Sequence, residues 1–330
     1  MSRIKQYILT HEALRKPYYA LGDVYHCALS LANPVKMSRK YYRDVFGREL
    51  DLNDPKTLNE KIMYLKLKKY WNNPVPGLLA DKYRVREYVE RCGLGGTLTK
   101  LYGVWDDARE IDWDSLPQKF VLKCNHGSGY NIVCTDKAAF DTAAATKQLN
   151  RWLRERYGVS TVEQGIYDKI ERRIIAEEFI ETEDGHPPRD YKIFCSYGEA
   201  KFLYMSFDRY EDRTKFDYYE PSWEHLPVSI RKHSSGGEKP KPANLDEIIR
   251  CAEQLSKPFP IVRVDLYSEM ADGKPHIYFG EMTFSSFGAL IGYDPDEYDY
   301  IFGARFPDAK ALEQFELTEE TIAGTMNKAE

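Results

Sequence analysis

Long apolar runs and an apolar leader are both missing from this sequence. No stretch approaches the ~18 apolar residues that a membrane-spanning helix needs, and the N-terminus, MSRIKQYILTHEALRK, lacks a signal-peptide core. We therefore expect a soluble, cytoplasmic protein. An excess of basic charge is missing too, because 47 Lys and Arg stand against 52 Asp and Glu, interspersed along the chain. This balance argues against a nucleic-acid partner, and a polyanion would have to meet a local patch.

Paired cysteines are also missing. The six cysteines show no C-x-x-C spacing, which favours reduced thiols over disulfides or a zinc site. Cys124, Cys134 and Cys195 fall within apolar strand patterns, so we expect them to be small core residues. What remains is an ordinary globular composition of 330 residues, 42% hydrophobic and 30% charged. That length suits about two domains.

The order of helical and strand patterns predicts an α+β fold with antiparallel hairpins. We expect an N-terminal helical region at 1–75, a first lobe at 76–180 and a second lobe at 181–330. Thr57 and Glu60 have capping-box spacing at the start of one helix. Its basic face is expected to be solvated, although it could meet an anionic substrate; it comprises Lys61, Lys66, Lys68 and Lys69.

Two further segments, at 74–93 and 208–242, have informative patterns. After a break at the Pro74-Val75-Pro76-Gly77 run, the pattern of 79–92 predicts a helix that carries Lys82 and ends at Gly93. Residues 208–242 are polar and predict a long mobile loop of a length that is usually functional or disordered.

A glycine-rich loop, HGSG at 126–129, joins an apolar strand that contains Lys123 to a second strand beginning at Asn131. Because a strand and not a helix follows, the loop cannot place phosphate at a helix N-terminus. It can instead lay backbone N–H groups over phosphate as a flap, since glycine permits close approach. A plain glycine turn is the alternative. His126 would lie at the flap tip, as a base, a phosphate contact or a simple loop residue.

The segment 261–288 has the pattern of a β-hairpin. Apolar residues alternate with Arg263, Asp265 and Tyr267, and a glycine-containing turn near 271–274 leads to a second arm ending in Glu281. Cross-strand partners lie roughly 5 Å apart, so pairing can bring Asp265 and Glu281 together on one face.

Two carboxylates at that distance repel each other unless a cation lies between them. Acids beside an arginine, without a Cys or His cluster, suit Mg²⁺ bridged to phosphate oxygens. The alternative is a surface hairpin with solvated acids.

The chain carries three kinds of group in separate segments: cationic side chains that could bind phosphates, a strand end that could bind the edge of adenine, and acidic side chains that could bind Mg²⁺. In this combination the chain resembles the ATP-grasp superfamily, and most closely the TupA-like ATP-grasp family, named for a protein of teichuronopeptide biosynthesis. The resemblance covers about 59–303. The segments that carry it are DKYRVREYV, LPQKFVLKCNHGSGYNIV, IIAEEFI, RDYKIFCSYGE and VRVDLY with IYFGEMTF.

The resemblance implies an ATP-grasp fold with ATP between two α+β lobes. Lys82 and Lys123 would contact the nucleotide phosphates below a mobile flap of His126, Gly127, Ser128 and Gly129. The strand end formed by Glu177, Glu178, Phe179 and Ile180 would bind adenine through its backbone, with a glutamate for the exocyclic amine or the ribose.

The same resemblance assigns the catalytic and metal sides of the cleft. Asp190 and Lys192 are similar to the Asp-x-Arg/Lys element of ligases that join amino acids to carboxylates, although a surface ion pair is the alternative. Arg263 would steady an acyl-phosphate, while Asp265 and Glu281 would bind Mg²⁺. Many relatives carry Asn where this chain has Thr283, so a neutral hydroxyl would be the third ligand. The usual Pro-Gly that follows is replaced by SSFG at 285–288.

The implied activity is an ATP-dependent carboxylate–amine ligase of cell-envelope polysaccharide biosynthesis. Its substrates would be a carboxylate and an amine, with an amino acid joined to a uronic acid, and an anionic saccharide is a possible partner. One alternative is a glycosyltransferase, for which Asp294-Pro295-Asp296 offers a DxD-like pattern in a position more typical of a loop. Another is a nucleotide-binding module without turnover.

Overall fold

Two antiparallel sheets organise the chain. The computed structural model describes residues 27–183, 185–207, 215–230 and 237–326. The strands are β1 (Leu101–Trp105), β2 (Phe120–Cys124), β3 (Asn131–Cys134), β4 (Ile174–Glu178), β5 (Asp190–Ser196), β6 (Glu199–Phe207), β7 (Lys215–Tyr219), β8 (His225–Leu226), β9 (Ser229–Ile230), β10 (Val262–Ala271), β11 (Lys274–Thr283) and β12 (Tyr293–Asp294). Four form one sheet in the order β1-β4-β2-β3, and six form another in the order β11-β10-β5-β6-β7-β8. The mixture of helices with antiparallel sheets confirms the predicted α+β class.

The main helices lie before, between and after these strands. They are α1 (Pro34–Phe46), α2 (Leu58–Tyr64), α3 (Pro74–Ala80), α4 (Val85–Arg91), α5 (Thr142–Arg154), α6 (Gln164–Tyr167), α7 (Leu245–Ser256), α8 (Tyr298–Gly303), α9 (Ala309–Gln314) and α10 (Glu319–Met326). A π-helical turn, Leu65–Lys69, extends α2. Within the described parts of the chain, none of the helices is both long and apolar enough to cross a bilayer.

Each sheet has its own apolar core. The core of the four-stranded sheet is built from residues between 102 and 176, among them Phe120, Leu122 and Leu149. The larger core joins the six-stranded sheet to the N-terminal helices and to residues up to 322. Helices α3 and α4, which the sequence pattern assigned to the first lobe, pack in this larger core through Leu79 and Val89. The core of the four-stranded sheet thus draws on residues from 102 onwards, while the lobe boundary at 76 stays a prediction.

The predicted capping box is confirmed. Thr57 accepts a hydrogen bond from the Glu60 N–H at 3.1 Å, and Glu60 accepts one in return from the Thr57 N–H at 3.0 Å. The expected solvated basic face is wrong for two of its lysines, because Lys61 and Lys66 are buried. Lys61 donates to the carbonyls of Gly303 and Phe306. Contacts with carbonyl groups more than 200 residues away thus bury two lysines of the predicted face.

The chain around Lys82 differs from its prediction. The Pro-containing run at 74–77 does not break a helix but begins α3, where Pro74 needs no N–H bond and the Asn73 side chain accepts from the Val75 N–H. The predicted helix over 79–92 is interrupted at Asp81, whose backbone is extended (φ −71°, ψ 112°). Lys82 therefore lies on the turn between α3 and α4.

The predicted loop at 208–242 lies partly outside the described residues, and its described part is not all loop. Strand β7 pairs with β6 in the six-stranded sheet, from Leu203↔Tyr219 to Phe207↔Lys215, and β8 and β9 follow. Phe216, Tyr218 and Tyr219 are buried there.

The predictions for the three core cysteines are confirmed, since Cys124, Cys134 and Cys195 are buried free thiols.

Candidate active site

The hairpin of β10 and β11 forms as predicted. Asp265 is the cross-strand partner of Glu281, and Arg263 is the partner of Thr283. The two-residue loop Asp272-Gly273 has positive φ at both positions, 52° and 76°, as a type I′ turn requires. The turn sets the register as far as Leu266↔Phe279, and a β-bulge at Gly280 then shifts it by one residue, so that Asp265 faces Glu281.

The neighbouring strand β5 extends this row of charges. Lys192 is the cross-strand partner of Asp265, so Lys192, Asp265 and Glu281 follow one another across three adjacent strands. Lys192 Nζ contacts Asp265 Oδ2 and lies 2.8 Å from Asp190 Oδ2. Burial favours the neutral amine, but Asp190 and Asp265 outweigh it and raise the pKa of Lys192 above its usual value. Lys192 therefore stays charged at neutral pH.

Arg263 is the centre of the cluster. Its Nε and Nη2 donate to Asp265 at 2.6 and 2.7 Å, and Nη2 also reaches Glu281 Oε1 at 3.0 Å. Thr283 Oγ1 accepts from the same Nη2 at 3.0 Å and lies 3.1 Å from Glu281 Oε1. Thr283 therefore joins the arginine to the glutamate, which sequence reasoning had not assigned to it.

Lys82 connects this cluster to the smaller lobe. Its Nζ lies 3.2 Å from Glu281 Oε2 on β11 and donates at 2.7 Å to the Gly127 carbonyl of the glycine loop. Burial acts to raise the pKa of Glu281, but Lys82, Arg263 and Lys192 outweigh it and hold this pKa well below its usual range. Glu281 is therefore ionised, and it is the more exposed of the two facing acids, at 25% against 2% for Asp265.

Lys123 belongs to a second cluster, centred on Glu177. Its Nζ donates to Glu177 Oε2 at 2.6 Å, while Arg86 and Thr99 donate to Glu177 Oε1 at 3.1 Å each. Burial acts against the charge of Glu177, yet Lys123 and Arg86 lower its pKa. Lys123 and Glu177 are thus brought together as an ion pair, on the neighbouring strands β2 and β4.

The predicted adenine edge lies where β4 ends. The Glu178 N–H donates to the Lys100 carbonyl at 2.9 Å, and the Lys100 N–H donates to the Glu178 carboxylate at 3.1 Å. Phe179 and Ile180 follow outside the strand and are half-buried. Burial, together with the nearby negative charge of Glu178, raises the pKa of Tyr278 on β11.

The glycine loop joins β2 to β3, as predicted, but His126 is not at its tip. The ring is 1% exposed and packs 5.4 Å from the Tyr130 ring. Burial and the nearby Arg172 lower its pKa to about 4, so the imidazole is neutral. The exposed tip is Ser128-Gly129. At Gly127 a Cβ would lie 2.7 Å from the Tyr157 ring, which explains the need for glycine there.

The oxygen donors suit Mg²⁺ in type and number. Mg²⁺ commonly takes one or two carboxylates and completes its shell with water and substrate phosphates. Asp265 and Glu281 supply two carboxylates with the Thr283 hydroxyl between Glu281 and Arg263. No group of three or more His, Cys, Asp or Glu suited to a metal occurs among the described residues.

Sequence reasoning missed a buried layer below Arg263. Ser286 Oγ accepts from Arg263 Nη1 at 2.9 Å, and Ser285 Oγ donates to Glu163 Oε1 at 2.5 Å. Lys66 donates to the carbonyls of Thr161 and Gly288. Burial raises the pKa of Glu163 and lowers that of Lys66 to about 8. No spacing signal links these positions, since the fold alone brings them together.

The turn above this layer is strained and carries an exposed ring. Phe287 and Ala289 have backbone φ values of 52° and 62°, in a region that residues other than glycine rarely adopt. The Phe287 side chain is 41% exposed.

The DxD-like motif lies elsewhere, with Asp294 paired to β9 and Asp296 3.2 Å from Arg48.

Comparison with known proteins places the chain among ATP-grasp proteins. Solved structures similar to it include a D-alanine–D-alanine ligase from Bacillus anthracis in complex with ATP, at 15% identity and a TM-score of 0.40, covering 77% of this chain and 69% of that one. Another is an L-amino acid ligase from Bacillus licheniformis, at 14% identity and a TM-score of 0.36, covering 61% and 42%. No protein with a curated description matches. The model of the family described as TupA-like ATPgrasp matches residues 60–307, well over half of the sequence. This chain belongs to the TupA-like ATP-grasp family.

Proposed function

We propose that the chain is an ATP-dependent carboxylate–amine ligase that acts through an acyl-phosphate. The observation that carries the proposal is the charge cluster of the hairpin, in which Asp265 and Glu281 face each other and share Arg263, with Lys192 on one side and Lys82 on the other. Phosphoryl transfer needs cations that neutralise the spreading charge of the phosphoryl group and acids that hold Mg²⁺.

The nucleotide is proposed to lie between the two sheets. Lys82 and Lys123 would bind phosphate oxygens, with the backbone of Gly127, Ser128 and Gly129 above them. Adenine would meet the strand end at 177–180. In support, Lys82 spans both lobes, from Gly127 to Glu281, and is 18% exposed. Because His126 is buried, only its backbone is offered to ATP in this proposal.

Asp265, Glu281 and Thr283 would hold Mg²⁺ when it is bound, and the ion would then offset negative charge on the phosphate oxygens. All four carboxylate oxygens contact Arg263, Lys192 or Lys82 in the present structure. Lys82 is the partner best placed to leave, because phosphate offers it a competing anion.

The chemistry proposed for the chain has two steps. A substrate carboxylate attacks the γ-phosphoryl group, which forms an acyl-phosphate and releases ADP. An amine then attacks the acyl carbon, so a C–N bond forms, the C–O bond to phosphate breaks and inorganic phosphate leaves. Arg263 and Lys192, both charged and largely buried, would steady the acyl-phosphate. Enclosure below the glycine loop would keep water from hydrolysing that intermediate.

The substrates are proposed from the family description alone. We propose an amino acid as the amine and a uronic acid of a cell-surface polysaccharide, or its precursor, as the carboxylate. The Ser285–Gly288 turn, which stands where many relatives have Pro-Gly, lies beside Arg263 through the Ser286 hydroxyl, and its substrate contacts stay unassigned in this proposal.

The test is ADP release with a panel of carboxylates and amines, followed by mass spectrometry of the products. A uronate-containing acceptor, glutamate and Mg-ATP should yield ADP, phosphate and an amide in equal amounts. Consumption of a UDP-sugar without ADP would instead favour a glycosyltransferase. ATP binding without turnover on any pair would favour a nucleotide-binding module.

A further inference from the structure

We propose that Asn125, together with Asp81, is a positioning pair that fixes Lys82 to the glycine loop, so that the lysine moves with the smaller lobe. The proposal rests on the phosphate role proposed for Lys82. It concerns two residues that lie immediately before Lys82 and immediately before the HGSG run.

Lys82 is fastened to the glycine loop at both of its ends. Its backbone N–H donates to the Asn125 carbonyl at 3.3 Å, and its Nζ donates to the Gly127 carbonyl at 2.7 Å. Two bonds to one short loop leave the lysine little freedom to move independently of it. Yet Lys82 lies between helices whose apolar side chains belong to the core of the larger lobe.

The Asn125 side chain supplies the connection between the lobes. It is fully buried, and its Nδ2 donates at 2.8 Å both to Asp81 Oδ1 and to the Glu171 carbonyl. Its Oδ1 accepts from the Arg173 N–H at 2.7 Å, just before β4. Three hydrogen bonds of one buried amide therefore join the Lys82 turn, the end of β2 and the residues just before β4.

Asp81 completes the pair from the other side. It is 1% exposed, and its Oδ1 also accepts from the N–H groups of Tyr83 and Arg84, at 2.8 and 3.2 Å. These bonds hold the turn on which Lys82 lies. Arg173 adds a contact from the smaller lobe, with its guanidinium 5.7 Å from the centre of the Tyr83 ring.

A double-mutant cycle tests whether Asn125 acts through Lys82. The dissociation constant of Mg-ATP is measured for the full-length protein and for Lys82→Met, Asn125→Ala and the double variant. We expect each single change to weaken ATP binding about tenfold, as for the loss of a charge-assisted contact. The double variant should bind within about twofold of Lys82→Met, since a residue that only positions Lys82 has nothing left to position.

Asn59 offers a matched control, because it is equally buried and holds Asp299 and the Ile291 carbonyl far along the chain. Asn59→Ala should change ATP affinity by the same factor with and without Lys82→Met. If Asn125→Ala weakens binding fivefold or more in the Lys82→Met background, or if Asn59 couples to Lys82 as strongly as Asn125 does, the positioning role is overturned. Unchanged affinity in Lys82→Met alone would overturn the phosphate role itself and the inference with it.

Asp81→Ala tests the other member of the pair and keeps the proposal testable if Asn125→Ala does not fold. It removes the oxygen that accepts from Asn125 Nδ2 and from the Tyr83 and Arg84 N–H groups. We expect it to weaken ATP binding about tenfold in the unaltered protein and by less than twofold in the Lys82→Met background. A fivefold or greater loss in the Lys82→Met background, or unchanged affinity in Asp81→Ala alone, would overturn the inference.

Discussion

Individual lysines carry much of the proposed function, and their surroundings separate their roles. Lys123 and Lys192 are paired with acids and lie 25% and 13% exposed, within reach of a ligand. Lys66 is also a lysine, but its side chain is buried and donates to backbone carbonyls of two loops. In that position it can hold the loops together but cannot contact a substrate. Residue type alone could not distinguish them, because the groups that surround each lysine come from distant segments.

Replacing Lys123 tests the nucleotide site. Lys123→Met should weaken ATP binding roughly ten- to a hundredfold, the range expected when a charged hydrogen bond to phosphate is lost. Glu177 would not be left without a partner, since Arg86 and Thr99 still contact it. Titration calorimetry with Mg-ATP measures the effect.

Lys147→Met is the control for that experiment. Lys147 belongs to the same lobe but lies exposed on α5. The Lys147→Met variant should bind ATP like the unaltered protein. Equal affinities for the two variants would contradict the phosphate role of Lys123.

The pH dependence of stability should reveal the buried Lys66. Its amine is protonated in the unfolded chain up to its usual pKa of 10.5, whereas burial lowers the folded-state pKa to about 8. Between these values the unfolded state binds more protons, so the free energy of unfolding should rise with pH. Relative to Lys66→Met, the unaltered protein should gain up to about 2 kcal/mol from pH 8 to 10.

Urea unfolding of both proteins at a series of pH values measures this difference. Lys68→Met serves as the control, since Lys68 lies on the same turn but is exposed. It should follow the unaltered protein across the range. A gap between Lys66→Met and the unaltered protein that is independent of pH would show that Lys66 stays protonated in the fold.

At the scale of elements, the hairpin is where sequence and structure agree best. Its alternation and its Asp-Gly turn are local properties of about twenty residues, so the pattern predicts them correctly. The facing of Asp265 and Glu281 also forms as predicted, but it depends on a β-bulge at Gly280 that the alternation does not indicate. The helix predicted over 79–92 failed because Asp81 is held by Asn125, whose position only the folded chain determines. Strand β7 was missed because its pairing with β6 occurs beyond a polar stretch.

The facing acids provide a test of the hairpin as a unit. Asp265→Asn and Glu281→Gln should each lower Mg²⁺-dependent ADP release by about a hundredfold or more, as expected when a group that stabilises transition-state charge is removed. Each change also leaves Arg263 with a weaker partner. ADP release is followed across a range of Mg²⁺ concentrations, which separates weaker metal binding from slower chemistry.

Glu269→Gln is the control on the same strand, because Glu269 lies near the far end of the hairpin, where it accepts a hydrogen bond from the Arg189 N–H. Its ADP release should be unchanged. If both Asp265→Asn and Glu281→Gln keep full Mg²⁺-dependent turnover, the proposed metal ligands are wrong.

At the scale of the molecule, two cores of unequal size meet at the proposed site. The smaller lobe supplies Lys123, Glu177 and the glycine loop, while the larger supplies the hairpin and β5. The family resemblance had led us to expect that each lobe supplies these groups. The pattern could not show that α3 and α4 pack in the larger core, because their partners there, such as Ile166 and Leu255, are distant in sequence.

Hydrogen exchange can show whether ATP engages both lobes at once. A local opening of the protein that abolishes binding must first release the ligand. With Mg-ATP at about 100 times its dissociation constant, such openings should therefore become about a hundredfold rarer. Exchange should therefore slow both in the glycine loop at 125–131 and in the hairpin at 262–283, while helix α9, remote from these contacts in the larger core, stays unchanged. The Lys123→Met variant at the same ATP concentration should show much weaker protection in both segments. Protection confined to one lobe would mean that ATP does not bind between the sheets, since a ligand in the cleft must contact the charged groups of both.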